Sequence, residues 1–302
     1  MSEQRDLRAV ATRHGLDPAR VRVRSVISPG GFTNRLYRVD DGRRSLRVKI
    51  TGEAPGPWLP HHERLHRDHG APRLLEALPW AGGTVLILED IPGRRLRVGE
   101  RSPATFAALA AAARLHHDTE LAAELGPPRT CAEDAIAVYV TRLWADLADP
   151  MPEFLDIRWA TAEVDALEAD LRRGAAFAAP AGAAVHGDLY GANVIVGPEG
   201  DIRILDWDDF HGGGDPALDA TMLLGPLLLR GRGGNLLARY AGWTGNPSIV
   251  ERAPLYRRVL LLSDIIDTLS DYAASERSDV RAAKLRAHQI ALGIYSGQAG
   301  TP

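Results

Sequence analysis

One cysteine, two lysines and no long apolar run are what this 302-residue chain has least of. Cys131 alone cannot close an internal disulfide, and any C-x-x-C metal or redox site lacks its further thiols, so a reducing cytoplasm is the expected location. The most apolar stretches, 218–229 and 259–266, are shorter than a membrane-spanning helix and carry Asp219 and Asp264. They predict buried core helices and no membrane partner. An excess of one charge is also missing. With 36 basic against 39 acidic residues the formal net charge is -3, which gives no general reason to expect a surface for duplex nucleic acid or anionic membrane. The first residues, M-S-E-Q-R-D-L-R, hold no apolar segment of the kind a secretory signal needs. What remains, 45% hydrophobic and 25% charged, suits one large or two modest globular domains.

The lysine deficit is sharper than it first looks, because 34 of the 36 basic residues are Arg. Abundant Ala beside that skew points to GC-rich codon usage and says nothing of fold. It does single out Lys49 and Lys284. Lys49 closes the run L-R-V-K-I, whereas Lys284 is expected on a solvated helix face.

Residues 1–91 read differently from the rest. Val21–Ile27, Arg35–Val39 and Ser45–Ile50 are short alternating runs rich in β-branched residues, separated by turn chemistry, and predict an antiparallel meander. Trp58–His69 has helical spacing and stops at Gly70; Thr84–Leu88 is a further strand. A hinge is expected at about 89–93. From 92 to 302 helices dominate: one opens at Ser102-Pro103, and others are expected over 133–147, 160–177, 217–230, 254–272 and 277–295. Between them lies a short β island, 185–207.

The island carries H-G-D-L-Y-G-A-N, His186 to Asn193, and then I-L-D-W-D, Ile204 to Asp208. The runs 194–196 and 202–205 alternate around a loop over 198–201, which predicts a hairpin. Pairing Gly197 with Ile202 would set Asn193 opposite Asp206, about 4.5–5.5 Å apart at Cα, where two oxygens could share one hard cation. Mg²⁺ suits such a corner, because it accepts one or two protein oxygens and completes its shell with phosphate and water.

These residues resemble the kinase catalytic loop, H-R-D-x-x-x-x-N followed by D-F-G, with Gly187 where protein kinases have Arg. The chain as a whole is similar to the aminoglycoside phosphotransferase and choline-kinase-like family of small-molecule kinases. That resemblance implies an α+β, bilobal protein-kinase-like fold, with an N-terminal nucleotide lobe over 1–91 and a C-terminal catalytic and acceptor lobe over 92–302. It implies Asp188 as catalytic base and Asn193 and Asp206 as metal ligands. Gly30, Gly31, Phe32, Thr33 and Asn34 would form the turn over the phosphates, and Lys49, paired with Glu63, would meet the α/β-phosphates. Leu88, Glu89, Asp90 and Ile91 would meet the adenine edge. ATP, with GTP left open, and Mg²⁺ are the implied cofactors.

No A-P-E follows Asp206, so a long activation segment is not expected and the acceptor should be the hydroxyl of a small molecule. Asp264, Asp267 and Asp271 fall at i, i+3 and i+7 of one helix. With Asp208 and Asp209 they would face a cationic acceptor, either an antibiotic or a metabolite of choline, homoserine or sugar-amine type. Asp219 is expected to fix the catalytic loop. An inactive nucleotide-binding regulator is the alternative from another class, and the presence of every expected polar residue argues against it.

Overall fold

Alternation in S-L-R-V-K-I-T gives β3 (Ser45–Thr51) two faces, with Leu46, Val48 and Ile50 on one and Arg47 and Lys49 on the other. β3 is central in a five-stranded antiparallel sheet of order β1-β2-β3-β5-β4, built from β1 (Arg22–Val26), β2 (Asn34–Asp40), β4 (Leu74–Trp80) and β5 (Gly83–Glu89). The computed structural model describes residues 3–26, 34–52, 56–80, 83–127, 129, 131–178 and 181–299. The apolar sheet face packs against α1 (Glu3–Arg13), whose Leu7, Val10 and Ala11 join Leu46, Val48, Ile50, Val85 and Ile87 in one buried cluster. Neither α1 nor β4 is expected from the strand signals. β4 contains Pro79, which weakens its strand signal but is tolerated because β4 is an edge strand.

Contacts divide the chain into two units: Met1–Leu96 with Ala192–Asp209, and Arg97–Gly191 with Phe210–Pro302. The hairpin expected among the helices is therefore part of the first unit. β6 (Arg94–Arg95) pairs with β8 (Val194–Val196), and β8 with β9 (Ile202–Ile204). Two glycines permit this. Gly93 has φ 145°, and a Cβ there would lie 2.5 Å from the Val196 carbonyl oxygen. Gly70 ends α2 (His62–His69) at φ 75°, and its carbonyl accepts from the Ile204 amide at 3.0 Å.

The hairpin register differs by one residue from the expected one. Val194 pairs with Ile204 and Val196 with Ile202, because the Gly197 amide bonds the Asp201 carbonyl at 2.9 Å across a three-residue loop with Gly200 at φ 86°. Asn193 thus faces Leu205, whose amide donates to the Asn193 carbonyl at 2.7 Å.

The second unit is helical: α3 (Pro103–His116), α4 (Thr119–Glu124), α5 (Ala132–Ala148), α6 (Ile157–Arg173), α7 (Pro216–Leu228), α8 (Gly234–Trp243), α9 (Ile249–Ala274) and α10 (Ser278–Ala299), with the paired strands β7 (Ala183–Val185) and β10 (His211–Gly214). α9 packs against α5, α6, α7, α8 and α10. It begins at Ile249, ahead of the expected Pro254. No helix among the described residues is long and apolar enough to cross a membrane.

An arginine–aspartate pair is wholly enclosed in this unit. Asp215 caps α7 and accepts from Arg252 Nε and Nη2 at 2.7 and 2.8 Å, with both side chains no more than 1% exposed. Removing one partner strands a charge in the core. Asp215→Ala is expected to cost about 3–5 kcal/mol of stability, measured by urea unfolding followed by circular dichroism.

Candidate active site

The polar face of β3 opens into a cavity of about 300 Å³ within the first unit, near the lower end for small-molecule pockets. Lys49, Leu88, Glu89, Asp90, Ile91, Asn193, Asp206 and Asp208 all line it. Gly30, Gly31, Phe32 and Thr33 lie outside the described residues. Asn34 opens β2, and its side chain is not described either.

Lys49 is anchored in the sheet opposite Leu36 and Leu86, and its ammonium lies 2.7 Å from Asp206 Oδ1 and 2.5 Å from Asp208 Oδ2. Burial works to lower its pKa, but the charges of and hydrogen bonds to the two carboxylates outweigh this, and the net shift is upward. Glu63, expected as the partner of Lys49, is exposed on α2; the ammonium is held instead by the D-W-D segment. Asp206 adopts φ 62°, the left-handed region that Asp tolerates better than most residues. Buried Trp207, whose Nε1 donates to the Ile204 carbonyl at 2.8 Å, pins the segment between the two acids.

Asn193 and Asp206 offer an amide and a carboxylate oxygen to the same cavity, a hard donor set that fits Mg²⁺ shared with phosphate and water. Among the described residues no group of three or more His, Cys, Asp and Glu could hold a metal unaided, so those phosphate and water oxygens would complete the shell.

The hinge acids face inward to arginines. Asp90 accepts from Arg38 at 2.8 Å and Arg47 at 2.6 Å. Burial pushes its carboxyl up, but hydrogen bonds from Ser45 and Arg47 and the two Arg charges outweigh it, and the net shift is downward. Glu89 accepts from Arg203 at 2.5 Å and from the Arg73 amide at 2.9 Å. Both side chains are thus occupied by arginines, and the Glu89 amide itself donates to the Arg73 carbonyl at 3.0 Å. The cavity also contains Arg47, Trp58 and Arg95, which sequence reasoning missed. Arg47 was legible through the period of two it shares with Lys49; Arg95 carried no signal in so Arg-rich a chain.

Asp188 lies in the second unit, half-buried, on a loop held from beneath. Asp219 Oδ2 accepts from the His186 amide at 2.8 Å and Oδ1 from the Gly187 amide at 3.0 Å. His116 Nε2 lies 2.9 Å from the same carboxylate, and Tyr240 Oη bonds His116 Nδ1. Burial would raise the Asp219 pKa, yet the His116 hydrogen bond and charge lead a set of partners that bring it below the usual range. The acid is thus an acceptor, so Nε2 of His116 donates to it, while Nδ1 bonds the Tyr240 hydroxyl. The Asp188 amide donates to His186 Nδ1 at 3.2 Å, so the loop is stitched both to itself and to α7.

The remaining acids divide. Asp208 is bound to Lys49, and Asp209 is exposed. Asp264 faces solvent, although surrounding protein and then the Asp267 charge push its carboxyl up to about 6, against the opposing charge of Lys284. Asp267 is raised by burial and by Asp271, and Asp146 on α5 by burial and by Asp267. Asp271 is engaged by Lys284, which is 6% exposed and not on a solvated face as expected. The charges of Asp267 and Asp271 thus reach Asp146 on α5, a residue the one-helix pattern could not reveal.

Solved structures of this architecture are numerous. Spectinomycin phosphotransferase with ADP and spectinomycin is 13% identical with a TM-score of 0.65, over 96% of this chain and 97% of that one. A thermostable aminoglycoside phosphotransferase mutant in ternary complex with AMP-PNP and hygromycin B is 15% identical at 0.64, over 99% and 100%. Choline kinase from Cryptosporidium parvum Iowa II is 15% identical at 0.61, over 98% and 96%. These likenesses establish the protein-kinase-like fold. No curated protein matches the chain in sequence. The model of the phosphotransferase enzyme family matches residues 26–262, so the chain belongs to that family and is a small-molecule kinase that phosphorylates a hydroxyl group.

Proposed function

We propose that this kinase moves the γ-phosphoryl group of ATP to a hydroxyl of a cationic small molecule. The observation that carries the reading is the lining of one cavity by Lys49, Asn193, Asp206 and the 88–91 segment. Lys49 would pair with the α/β-phosphates, and the backbone of 88–91 would meet the adenine edge. Asn193 and Asp206 would hold Mg²⁺, whose chemistry is to neutralise charge developing on the phosphates. Asp188, five positions before Asn193, would accept the acceptor hydroxyl's proton and orient its oxygen for in-line attack.

The acids Asp264, Asp267 and Asp146 support a cationic acceptor, because a bound amine would relieve their mutual repulsion. An antibiotic and an amine-bearing metabolite share that chemistry. Incubation with Mg-ATP and a panel of both, read by mass spectrometry for one added phosphate, separates them. ATP binding without phosphorylation of any acceptor would favour the regulator.

Asp188→Ala is expected to lower kcat about 10²–10⁴-fold with little change in the KM for ATP, measured by steady-state kinetics; turnover at the wild-type rate would remove it as the base. The acceptor KM is expected to fall as pH rises through about 6, where Asp264 becomes charged, and Asp264→Asn to flatten that profile. The folded protein holds this proton more tightly than the unfolded chain. The group therefore favours folding at low pH and ceases to as pH rises through about 6.

A further inference from the structure

We propose that Asp208 is the positioning residue for Lys49, holding the ammonium so that Asp206 is left for the metal; this rests on the roles proposed above for Lys49 and Asp206. The ammonium of Lys49 is 2.7 Å from Asp206 and 2.5 Å from Asp208, and its side chain is only 11% exposed. A carboxylate drawn to a divalent cation has less charge left for an ammonium, and the two cations repel across it. A buried ammonium needs a second acid at that moment. Glu63 is exposed on α2, whereas Asp208 is already on the ammonium.

The backbone makes Asp208 suited to the task. Residues 206 and 208 stand on either side of Trp207, whose buried indole is tied to the Ile204 carbonyl. Asp206 takes the left-handed backbone, φ 62°, two residues past the end of β9. The two acids thus reach one ammonium from either side of a pinned Trp207, the arrangement the proposal requires if one is to serve a metal while the other keeps the ammonium.

The scarcity of lysine makes the test direct. In the full chain labelled with ¹⁵N-lysine, Lys49 and Lys284 give two Nζ signals, with Lys284 as internal control. Adding Mg-ADP to wild type is expected to shift the Lys49 signal while its ammonium protons stay protected. In Asp208→Asn with Mg-ADP, proton exchange at Lys49 is expected to quicken about tenfold or more, kcat to fall by a similar factor, and Lys284 to stay unchanged. Asp208→Glu should recover part of the protection.

A cycle with Lys49→Met separates this role from direct metal binding. Mn²⁺ affinity in the presence of ADP, read by electron paramagnetic resonance, should fall on Asp208→Asn when Lys49 is present and change less than about twofold when it is not. Equal losses in both backgrounds would make Asp208 a metal ligand and overturn the proposal, as would an unchanged Lys49 signal in Asp208→Asn. A Lys49 signal that nucleotide does not move in wild type would remove the phosphate-pairing role, and the proposal with it. Asp208→Ser carries the same cycle if the Asn variant does not fold.

Discussion

A buried ammonium is tolerable only beside opposite charge, and in the first unit that condition ties together segments more than 150 residues apart in sequence. Lys49 is fixed by the pairing of β3 with β2 and β5, so its side-chain direction is set by the sheet. The D-W-D segment is set by the hairpin, which is secured by β6 and by the Gly70 carbonyl. Each anchor is backbone hydrogen bonding, the least adjustable part of the fold. The side chains that meet in the cavity are therefore aimed by two rigid supports, the arrangement that catalysis by positioning requires.

The second unit meets a different constraint. A loop carrying the proposed base must be stiff without being covered, and Asp219 meets this from below by taking the His186 and Gly187 amides on its two oxygens. A bare buried carboxylate would be costly, and it is offset by His116, which Tyr240 holds in turn. Polar groups are fully engaged under the loop, while Asp188 itself remains partly open to solvent.

How much of this could be read from sequence depends on the range of the interaction responsible. Strand alternation, the Ser102-Pro103 helix start and the H-G-D…N spacing are local, and they were legible. The hairpin register turned on whether Gly197 pairs with Ile202 or with Asp201, a choice made by one left-handed glycine, and it moved by a residue. β4 was hidden by a proline that only an edge position excuses. Glu63 sat at the sequence position expected for the Lys49 partner, yet nothing local says which way a helix side chain faces across space. Asp146 joins Asp267 only because α5 and α9 pack together, a fact that no single-helix pattern contains.

The same reasoning explains the lysine count better than codon usage alone. Lys49 and Lys284 are both buried, and each is bonded to aspartate. Arg252 is buried too, and it finds acceptors for a whole fork: both oxygens of Asp215, the Ser248 hydroxyl and the Ala176 carbonyl. A guanidinium carries five N–H donors in a fixed plane, so burying one demands acceptors in that plane. An ammonium is compact and rotates its three donors to whatever acids are near. Where a pocket supplies two carboxylates and no planar set of acceptors, the ammonium is the cation that fits. At Lys49 the two acids of the D-W-D segment lie within reach of such a rotating ammonium, at 2.7 and 2.5 Å.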